Sequence, residues 1–333
     1  GFTTLTNGGS ENIASTYGGI ITGAGALQLS TGGGENYSDN RVDDVNATCT
    51  INCRMTGPSG FEFYTGAGRG GTFLFNGIND FAGHIIMNAA GTISAARFGN
   101  SGSTDSNLGA GSKIRFNSNI DGGPKLKYIG SGETTDRTLE FNSHARIEQA
   151  GTGHLIFSAN TVCATASGLS LTLMGSTSGT AEISGVIVNN TGNVAVYKQG
   201  TGLWILSGAN LYAGGTFVNG GTLAVSGANG SIVSSSGITI NQGGALQIRN
   251  AAAASLPDRI KDSGTVIMNG GALSFAHTAG AANYSETVGT VTLAAGPNIV
   301  SASQAAAGHT STLILGGLTR TAGSVDFVGT GLG

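Results

Sequence analysis

Charged residues are scarce in this chain of 333 residues: they make up 10% of it, and the formal net charge is −3. Globular domains usually carry about 25% charged residues. The few basic residues are scattered and form no patch that could follow a phosphate backbone. A nucleic-acid partner is therefore not expected.

Long apolar runs are also missing. A membrane-spanning helix needs about 20 consecutive apolar residues, so we expect no membrane insertion of this segment. Hydrophobic residues still make up 39% of the chain, in alternating runs that argue against disorder. The chain begins at Gly1-Phe2 without an initiator methionine or a signal peptide, and we expect it to be a piece of a longer precursor.

Only three cysteines are present, Cys49, Cys53 and Cys163. The C-x3-C pair of Cys49 and Cys53 is a candidate disulfide that would close a small loop in an oxidising compartment, and reduced thiols are the alternative. Cys163 is expected to be buried as a small apolar residue. Since no histidine lies near these cysteines, a zinc site is not expected.

Glycine, in contrast, is abundant, with 59 residues, and part of it follows a repeated pattern. The pattern G-x-G-x-apolar-x-apolar-Ser begins at Gly23, Gly151 and Gly200, and a degenerate copy covers 69–76, with Arg69 in place of the first glycine. Each apolar-x-apolar trio has the period-two alternation of a short strand. Glycine and asparagine between the trios supply turn positions with positive φ.

This self-similarity distinguishes between the possible all-β folds. A solenoid must repeat its corner chemistry so that each coil stacks on the last, whereas a sandwich need not. The spacing of the related glycines indicates coils of ~23 residues. We therefore predict an all-β chain that forms one right-handed parallel β-helix, or β-solenoid, over residues 1–333.

The copies at 69–95 and 198–225 are the longest. Both continue into a glycine, then Asn-x-aromatic-Ala-Gly, then two more short apolar strands. The stretch 198–225 follows K-x-G-x-G-x-L-x-L-S-G-x-N-x-Y-x-G-G-T-x-V-x-x-G-x-L, with Trp204 at the first leucine position. It resembles the autotransporter-associated β-strand repeat, also called the passenger-associated transport repeat. The copy at 69–95 departs from this pattern at Arg69 and at His84.

The resemblance implies a secreted, right-handed parallel β-helix that acts at the bacterial cell surface or outside the cell. It implies no catalytic residue. Residues 34–66 fit the repeat pattern least. Their charge density, their two cysteines and Pro58 predict a loop excursion packed on the solenoid.

Residues that could carry chemistry are few. The five histidines never occur at ligand spacing. The densest polar cluster is Glu133, Asp136, Arg137 and Glu140, for which we prefer a solvated turn with a local ion pair over the paired carboxylates of a polysaccharide-cleaving enzyme. The sequence thus predicts no enzyme, with no catalytic, cofactor-binding or metal residues and no cofactor.

One surface could carry a function. In the repeat strands, the residue between the two inward apolar positions is Gln28, Leu74, Ile156 or Ile205, and Leu203 lies beside Ile205. If these strands stack on one face, the four apolar residues form an exposed stripe and a candidate interface. The alternative is that the excursion at 34–66 covers this stripe.

These observations favour a non-enzymatic extracellular structural protein that associates with itself, end to end or laterally, into a surface fibre or layer. Neither end of the chain shows a polar cap, and stacking of copies would pair the open ends. A monomeric adhesin stalk that binds a surface glycan or another cell-surface ligand is the alternative. A polysaccharide-acting β-helix enzyme is the third hypothesis.

Overall fold

The computed structural model describes residues 3–6, 19–21, 27–30, 37–40, 42, 44–64, 70–165, 168–176, 178–189, 193–250, 256–277, 283–303 and 308–329. The chain divides into two compact units, Gly1–Thr165 and Ala166–Gly333. In the described part, both units consist of short strands and turns, with a single 3₁₀ turn at Ile120–Gly122. No described helix is long and apolar enough to cross a membrane.

The strands of the first unit are β1 (Thr3–Thr6), β2 (Gly19–Ile21), β3 (Leu27–Ser30), β4 (Tyr37–Asn40), β5 (Thr48–Ile51), β6 (Met55–Thr56), β7 (Gly60–Phe63), β8 (Thr72–Phe75), β9 (Ile85–Met87), β10 (Thr92–Ala95), β11 (Lys113–Phe116), β12 (Lys125–Tyr128), β13 (Glu133–Thr135), β14 (Thr138–Phe141), β15 (Ala145–Gln149), β16 (His154–Phe157) and β17 (Val162–Cys163). Neighbours run in the orders β1-β3-β6, β2-β5-β8-β10-β12-β15 and β4-β7-β9-β11-β14-β17, and β13 pairs with β16.

The strands of the second unit are β18 (Leu169–Met174), β19 (Thr180–Ile183), β20 (Val194–Lys198), β21 (Leu203–Leu206), β22 (Thr216–Val218), β23 (Gly221–Val225), β24 (Ile238–Asn241), β25 (Gly244–Asn250), β26 (Val266–Asn269), β27 (Ala272–His277), β28 (Tyr284–Ala295), β29 (Pro297–Ser303), β30 (Ser311–Arg320) and β31 (Ser324–Gly329). They form two series, β18-β20-β22-β24-β26-β28-β30 and β19-β21-β23-β25-β27-β29-β31.

Each strand pairs in parallel with a strand about one coil further along the chain. Gly221 pairs with Gly244, which gives the predicted coil length of ~23 residues. Other coils differ, from 19 residues between Leu203 and Thr222 to 33 between Thr92 and Lys125, where a loop follows β10. The predicted fold class, an all-β parallel β-solenoid, is confirmed, whereas a single domain over 1–333 stays a prediction.

Alternation along the strands explains the core. In β8, Phe73 and Phe75 are fully buried, while the residues beside them are half-buried. Phe61 of β7 packs edge-on against both rings, with centroids 5.1 and 4.8 Å away. Burying one such side chain stabilises the fold by about 1.5–3 kcal/mol, so a stack of inward rows can hold coils that are individually too small to fold.

The segment 34–66 differs from its prediction. It contains strands β4 to β7, of which β5 pairs with β8 and β7 pairs with β9. Ile51, Met55 and Phe61 from this segment are fully buried. The predicted loop excursion is therefore wrong for the described part, because apolar residues at inward positions continue the solenoid between the charged ones. Residues 34–36, 41, 43 and 65–66 lie outside the described residues.

Candidate functional site

Two carboxylates of the predicted polar cluster bind the backbone of the loop that follows β10. Glu133, at the start of β13, accepts hydrogen bonds from the N–H groups of Phe98 (2.6 Å) and Gly99 (2.9 Å). Asp136 accepts one from the N–H of Ser101 (2.6 Å). Both carboxylates thus order the backbone of a loop from an earlier coil.

Arg137 holds the same loop from inside. Its guanidinium is fully buried and donates to the carbonyl oxygens of Phe98, Gly99, Asn100, Gly109 and Gly111. Burial lowers the pKa of Arg137 to about 10, against the opposing charges of Asp136 and Glu133, so the group remains a cation at neutral pH. The predicted solvated ion pair is therefore wrong: the arginine is buried among carbonyls.

Glu140 lies apart from this corner on β14, where it is almost fully buried. Its carboxylate forms ion pairs with two cations: Oε1 lies 2.8 Å from Arg115 Nε, and Oε2 lies 3.1 Å from Lys113 Nζ. Burial raises the pKa of Glu140, but the hydrogen bonds and charges of these two cations outweigh burial and leave the pKa below its usual value. Among the described residues no cluster of three histidine, cysteine, aspartate or glutamate side chains could hold a metal ion.

A second buried corner, in the second unit, was not predicted from the sequence. The guanidinium of Arg259 is fully buried and donates to Asn250 Oδ1 (2.6 Å) and to the carbonyls of Gly230 (2.6 Å) and Gly227 (2.7 Å). Glu286 accepts the N–H groups of Arg259 (3.0 Å) and the residue after it (2.8 Å).

Glu286 has little access to water. It is 1% exposed, and its Oε2 has no hydrogen-bond partner among the described residues. Burial raises its pKa to about 8, although the two backbone N–H groups and Arg259 lower it. The alternation Tyr284, Glu286, Val288 along β28 was the available signal, because it places the glutamate at an inward position.

The candidate interface residues do not form one stripe within the first unit. Leu74 lies on β8, in the series from β2 to β15, whereas Ile156 lies on β16, which pairs with β13. In the second unit, Leu203 and Ile205 lie on β21, and Ile205 is paired with Glu182 on β19. All four apolar side chains are half-buried. Their role in an interface stays a prediction.

The candidate disulfide is absent from the structure, which has Cys49, Cys53 and Cys163 as free, buried thiols. Cys49 lies on β5, and the strand runs on through Ile51, which carries the chain away from Cys49 before Cys53 is reached. Burial raises the pKa of Cys49 to about 11, so this thiol stays protonated at neutral pH.

The asparagine of the long repeats bridges consecutive coils. Asn79 Oδ1 accepts the N–H of Met55 at 2.7 Å, and Asn210 Oδ1 accepts the N–H of Ile187 at 3.0 Å. Each asparagine also binds a later coil, since its own N–H donates to the carbonyl of Ser106 or Ser231, respectively. Asn79 and Asn210 are both 1% exposed, so the repeated asparagine satisfies buried backbone groups.

Other repeat positions in 198–225 also face inward. The ammonium of Lys198 donates to the carbonyls of Gln199 (2.8 Å) and Gly200 (2.9 Å), and burial lowers its pKa to about 8. The indole of Trp204 is buried and donates to Met174 O at 2.8 Å. Tyr212 is buried and its hydroxyl lies 2.8 Å from that of a threonine four residues on. The repeat pattern therefore specifies coil stacking rather than a ligand site.

Apolar side chains are exposed on the last coil that the structure describes in the second unit, formed by β30 and β31, which we call the terminal rung. Its residues pair with buried residues one coil earlier: Leu315 with Val288, Leu318 with Val291 and Phe327 with Val300. Those three valines are at most 5% exposed, whereas Leu318 is 47% and Phe327 is 52% exposed. A cleft of about 130 Å³ between β29, β30 and β31 is lined by Leu315 and Phe327 among others.

Comparison with known proteins agrees with the repeat pattern. Residues 196–225 match the model of the passenger-associated-transport-repeat family. The adhesin BmaC autotransporter of Brucella suis biovar 1 (strain 1330) is 32% identical over 152 residues, which cover 44% of this chain and 4% of that protein. This chain thus corresponds to a small part of the curated relative. No solved structure matches it significantly.

The repeat match falls on β20 to β23, whose motif side chains stack the coils, and the similarity to the curated relative covers 152 residues. Sequence pattern, fold and similarity therefore agree: the chain is a parallel β-solenoid that contains a passenger-associated transport repeat at 196–225 and is similar to part of an autotransporter adhesin.

Proposed function

We propose that this chain is a non-enzymatic, adhesin-type segment of an autotransporter passenger, placed at the cell surface or secreted, which binds a surface glycan or another cell-surface ligand. The similarity to an autotransporter adhesin carries the proposal. The repeat segment supports it, because its motif side chains pack between consecutive coils. The residues on the outer faces are not needed for this stacking and can differ from coil to coil.

A non-enzymatic role is supported by the state of the polar cluster. The carboxylates of Glu133 and Asp136 bind backbone N–H groups, and Glu140 is held between two cations. A glycosidase needs one carboxyl group that protonates the leaving oxygen and a second that activates water or attacks the sugar. These side chains are instead occupied in ordering the fold.

Surface display tests the adhesin proposal. The chain would be displayed on a non-adherent bacterium, with binding to immobilised glycans and to cultured cells measured against a strain displaying an unrelated β-solenoid. We expect adherence above that control and no cleavage of the glycans that are bound. Adherence equal to the control would contradict the adhesin role, and release of shorter glycans would contradict the non-enzymatic one.

The self-associating fibre or layer is the second candidate function. The observation that favours it is the set of apolar side chains exposed at outward strand positions, among them Ile267 (38%) and Ile299 (46%). Fibre formation and adhesion are compatible, since a solenoid can present ligand sites on its faces while its ends associate.

A further inference from the structure

We propose that the outward face of β20, β22, β24 and β26 binds a neutral glycan, with one pyranose ring held in a notch between Phe217 and Ile267. This inference rests on the proposed adhesin role and gives that role a ligand class and a site. Three features of the second unit support it: a stacked pair of aromatic rings, a gap beside that pair, and a row of asparagine amides along the gap.

The aromatic pair stands on edge on the sheet. Tyr197 of β20 and Phe217 of β22 are ladder partners and occupy outward positions between buried neighbours. Their ring centroids are 4.6 Å apart and their planes differ by 14°. Adjacent coils are ~4.8 Å apart, which is too close for two rings that lie flat on the sheet. One face of Phe217 therefore contacts Tyr197, and the opposite face is turned towards the next coil.

Coil stacking does not require these rings. Phe217 occupies a position that the repeat pattern leaves open, between Thr216 and Val218, which are both fully buried. Tyr197 precedes the first residue of the pattern, Lys198. The aromatic pair is thus a property of this outer face and is not explained by the stacking of the repeat.

The second face of Phe217 borders small residues. A Cβ atom on Gly215 would lie 2.8 Å from Cε2 of Phe217, so the ring leans over this glycine. On the next coil, Gly237 lies beside Gly215, and Thr239 is the ladder partner of Phe217. Thr239 is only half-buried, so water reaches it. Gly237 and Thr239 therefore form the floor of the notch.

The far wall of the notch is Ile267 of β26. It is the ladder partner of Thr239 and is 38% exposed. Phe217 and Ile267 are two coils apart, which is ~9.6 Å. A ring between the two walls needs a carbon–carbon contact of ~3.5–4.0 Å on each side. The notch therefore has room for one puckered ring between the aromatic face and the isoleucine.

Amide groups line one side of the notch. Asn219, Asn241 and Asn269 each follow an outward residue of β22, β24 or β26 by two positions, so they lie on the same face. Asn241 Nδ2 donates to Asn219 Oδ1 at 2.6 Å, and Asn269 Nδ2 donates to Asn241 Oδ1 at 2.8 Å. Each amide has two N–H donors and two lone pairs on its oxygen, so this chain of single bonds leaves sites for hydroxyl groups.

The chemistry of the face selects a neutral sugar. A pyranose ring has C–H groups on its two faces, which suit the apolar walls, and hydroxyl groups around its edge, which suit the amides. In β20, β22, β24 and β26 the only charged residue is Lys198, which is buried and donates to backbone carbonyls. These strands therefore offer no counter-charge to an acidic or basic ligand.

A glycan array tests the inference, with the full chain and its Thr239→Phe and Phe217→Ala variants. The array presents neutral oligosaccharides of glucose, galactose, mannose and N-acetylglucosamine beside sulfated and uronate-containing ones. We expect wild type to bind at least one neutral oligosaccharide. Thr239→Phe fills the notch with a third ring and Phe217→Ala removes a wall, so each should raise the dissociation constant by ~10-fold or more.

Thr239→Val is the matched control, because valine has nearly the volume of threonine and leaves the notch open. Ile78→Ala, at a side chain of the first unit that is 41% exposed, controls for the loss of exposed apolar surface. Both should change the dissociation constant by less than ~3-fold. Circular dichroism and thermal unfolding establish that each variant is folded, as an outward strand position allows for phenylalanine.

Binding of charged glycans alone, or of no glycan on the array, would overturn the inference. A folded Thr239→Phe variant that binds as wild type does would also overturn it. Sedimentation velocity tests a second copy as the occupant: wild-type oligomers that Ile267→Ser dissociates would assign this face to self-association and reject the glycan.

Adherence of the displayed chain is measured in parallel and separates this inference from the adhesin role. Adherence without binding to any neutral glycan would reject the notch and leave the adhesin role standing. Glycan binding that Thr239→Phe abolishes, in a chain that confers no adherence, would uphold the notch and reject the adhesin role.

Discussion

In both corners a buried arginine donates hydrogen bonds to backbone carbonyls, but the neighbouring carboxylates differ in their access to water. In the first unit, Arg137 binds five carbonyls while Glu133, half-buried, and Asp136, exposed, hold the neighbouring N–H groups from outside. In the second unit, Arg259 is equally buried, but its partner carboxylate Glu286 is also inside.

This difference teaches that the carboxylates beside a buried arginine decide how much the arginine stabilises its corner at neutral pH. What matters is whether those carboxylates are solvated or paired. At the Arg137 corner the carboxylates keep contact with water. At the Arg259 corner, Glu286 has its pKa raised to about 8 by burial, so that corner changes charge in the neutral range. The first corner is expected to be insensitive to pH there and the second to respond.

The largest expected effect is that of Arg137→Ala. It removes the guanidinium donor from five carbonyls of the loop after β10, and each buried group that is left unsatisfied costs about 1–3 kcal/mol. We expect the free energy of unfolding, measured with urea, to fall by more than about 3 kcal/mol. Hydrogen exchange should show the loss of protection concentrated at residues 97–111.

The control for this variant is Arg97→Ala. Arg97 pairs with Asp105, but these side chains are 52% and 64% exposed, so the pair is screened by solvent. Its removal should change the free energy of unfolding by less than about 0.5 kcal/mol. Comparable effects of the two variants would show that the buried guanidinium has no special role.

Glu286→Gln sharpens the comparison through pH. The pKa of Glu286 in the folded protein is about 8, above the ordinary value of 4.5. Protonated Glu286 therefore contributes its full share to the free energy of unfolding below pH 4.5, and this share is lost as the pH rises towards 8. Wild-type stability should fall across this window by on the order of 1 kcal/mol per pH unit. The glutamine variant can accept the same two N–H bonds and should lack that slope.

Urea unfolding at several pH values measures this slope, and Glu140→Gln is the contrasting variant. The folded pKa of Glu140 lies below its ordinary value, so its contribution is present above pH 4.5 and is lost as the pH falls through the folded pKa. Removing it should flatten only the acid side of the profile. A neutral slope that persists in Glu286→Gln would assign the slope to another group.

Apart from the Arg97→Ala control, the smallest expected effect is that of Thr135→Val at the Arg137 corner. The hydroxyl of Thr135 donates to Gly99 O at 2.7 Å, and valine keeps nearly the same volume without this bond. We expect a loss of about 1 kcal/mol in the free energy of unfolding, since the guanidinium of Arg137 still binds the same carbonyl. A loss as large as that of Arg137→Ala would mean that the hydroxyl, rather than the guanidinium, holds the loop.

Much of the fold was predictable, and the reasons are visible in single residues. The alternation around Phe73 and Phe75 predicted a strand, and the repeated Asn-x-aromatic-Ala-Gly predicted a recurrent corner, where Asn79 and Asn210 now bridge coils. The segment 34–66 was mispredicted because its many charged residues hide the inward alternation in the sequence. That alternation belongs to β5, which pairs with β8, and to β7, which pairs with β9.

The sites were less predictable, because the sequence shows that a residue is charged but not whether its side chain is buried in the fold. Arg137 looked like part of a solvated turn, yet the loop after β10 closes over it. Leu74 and Ile156 share a strand pattern, yet coil lengths between 20 and 33 residues in the first unit place them on different sheets. Loop length, rather than local pattern, decides which face a strand joins.

The sequence by itself determined the fold class and the repeat family, because both depend on local periodicity and on glycine and asparagine at fixed offsets. Only the tertiary structure decided which charged groups are buried and which apolar residues are left exposed. Burial depends on which coil covers a residue, and that coil comes from another part of the chain. Arg137 and Glu286 owe their properties to that cover.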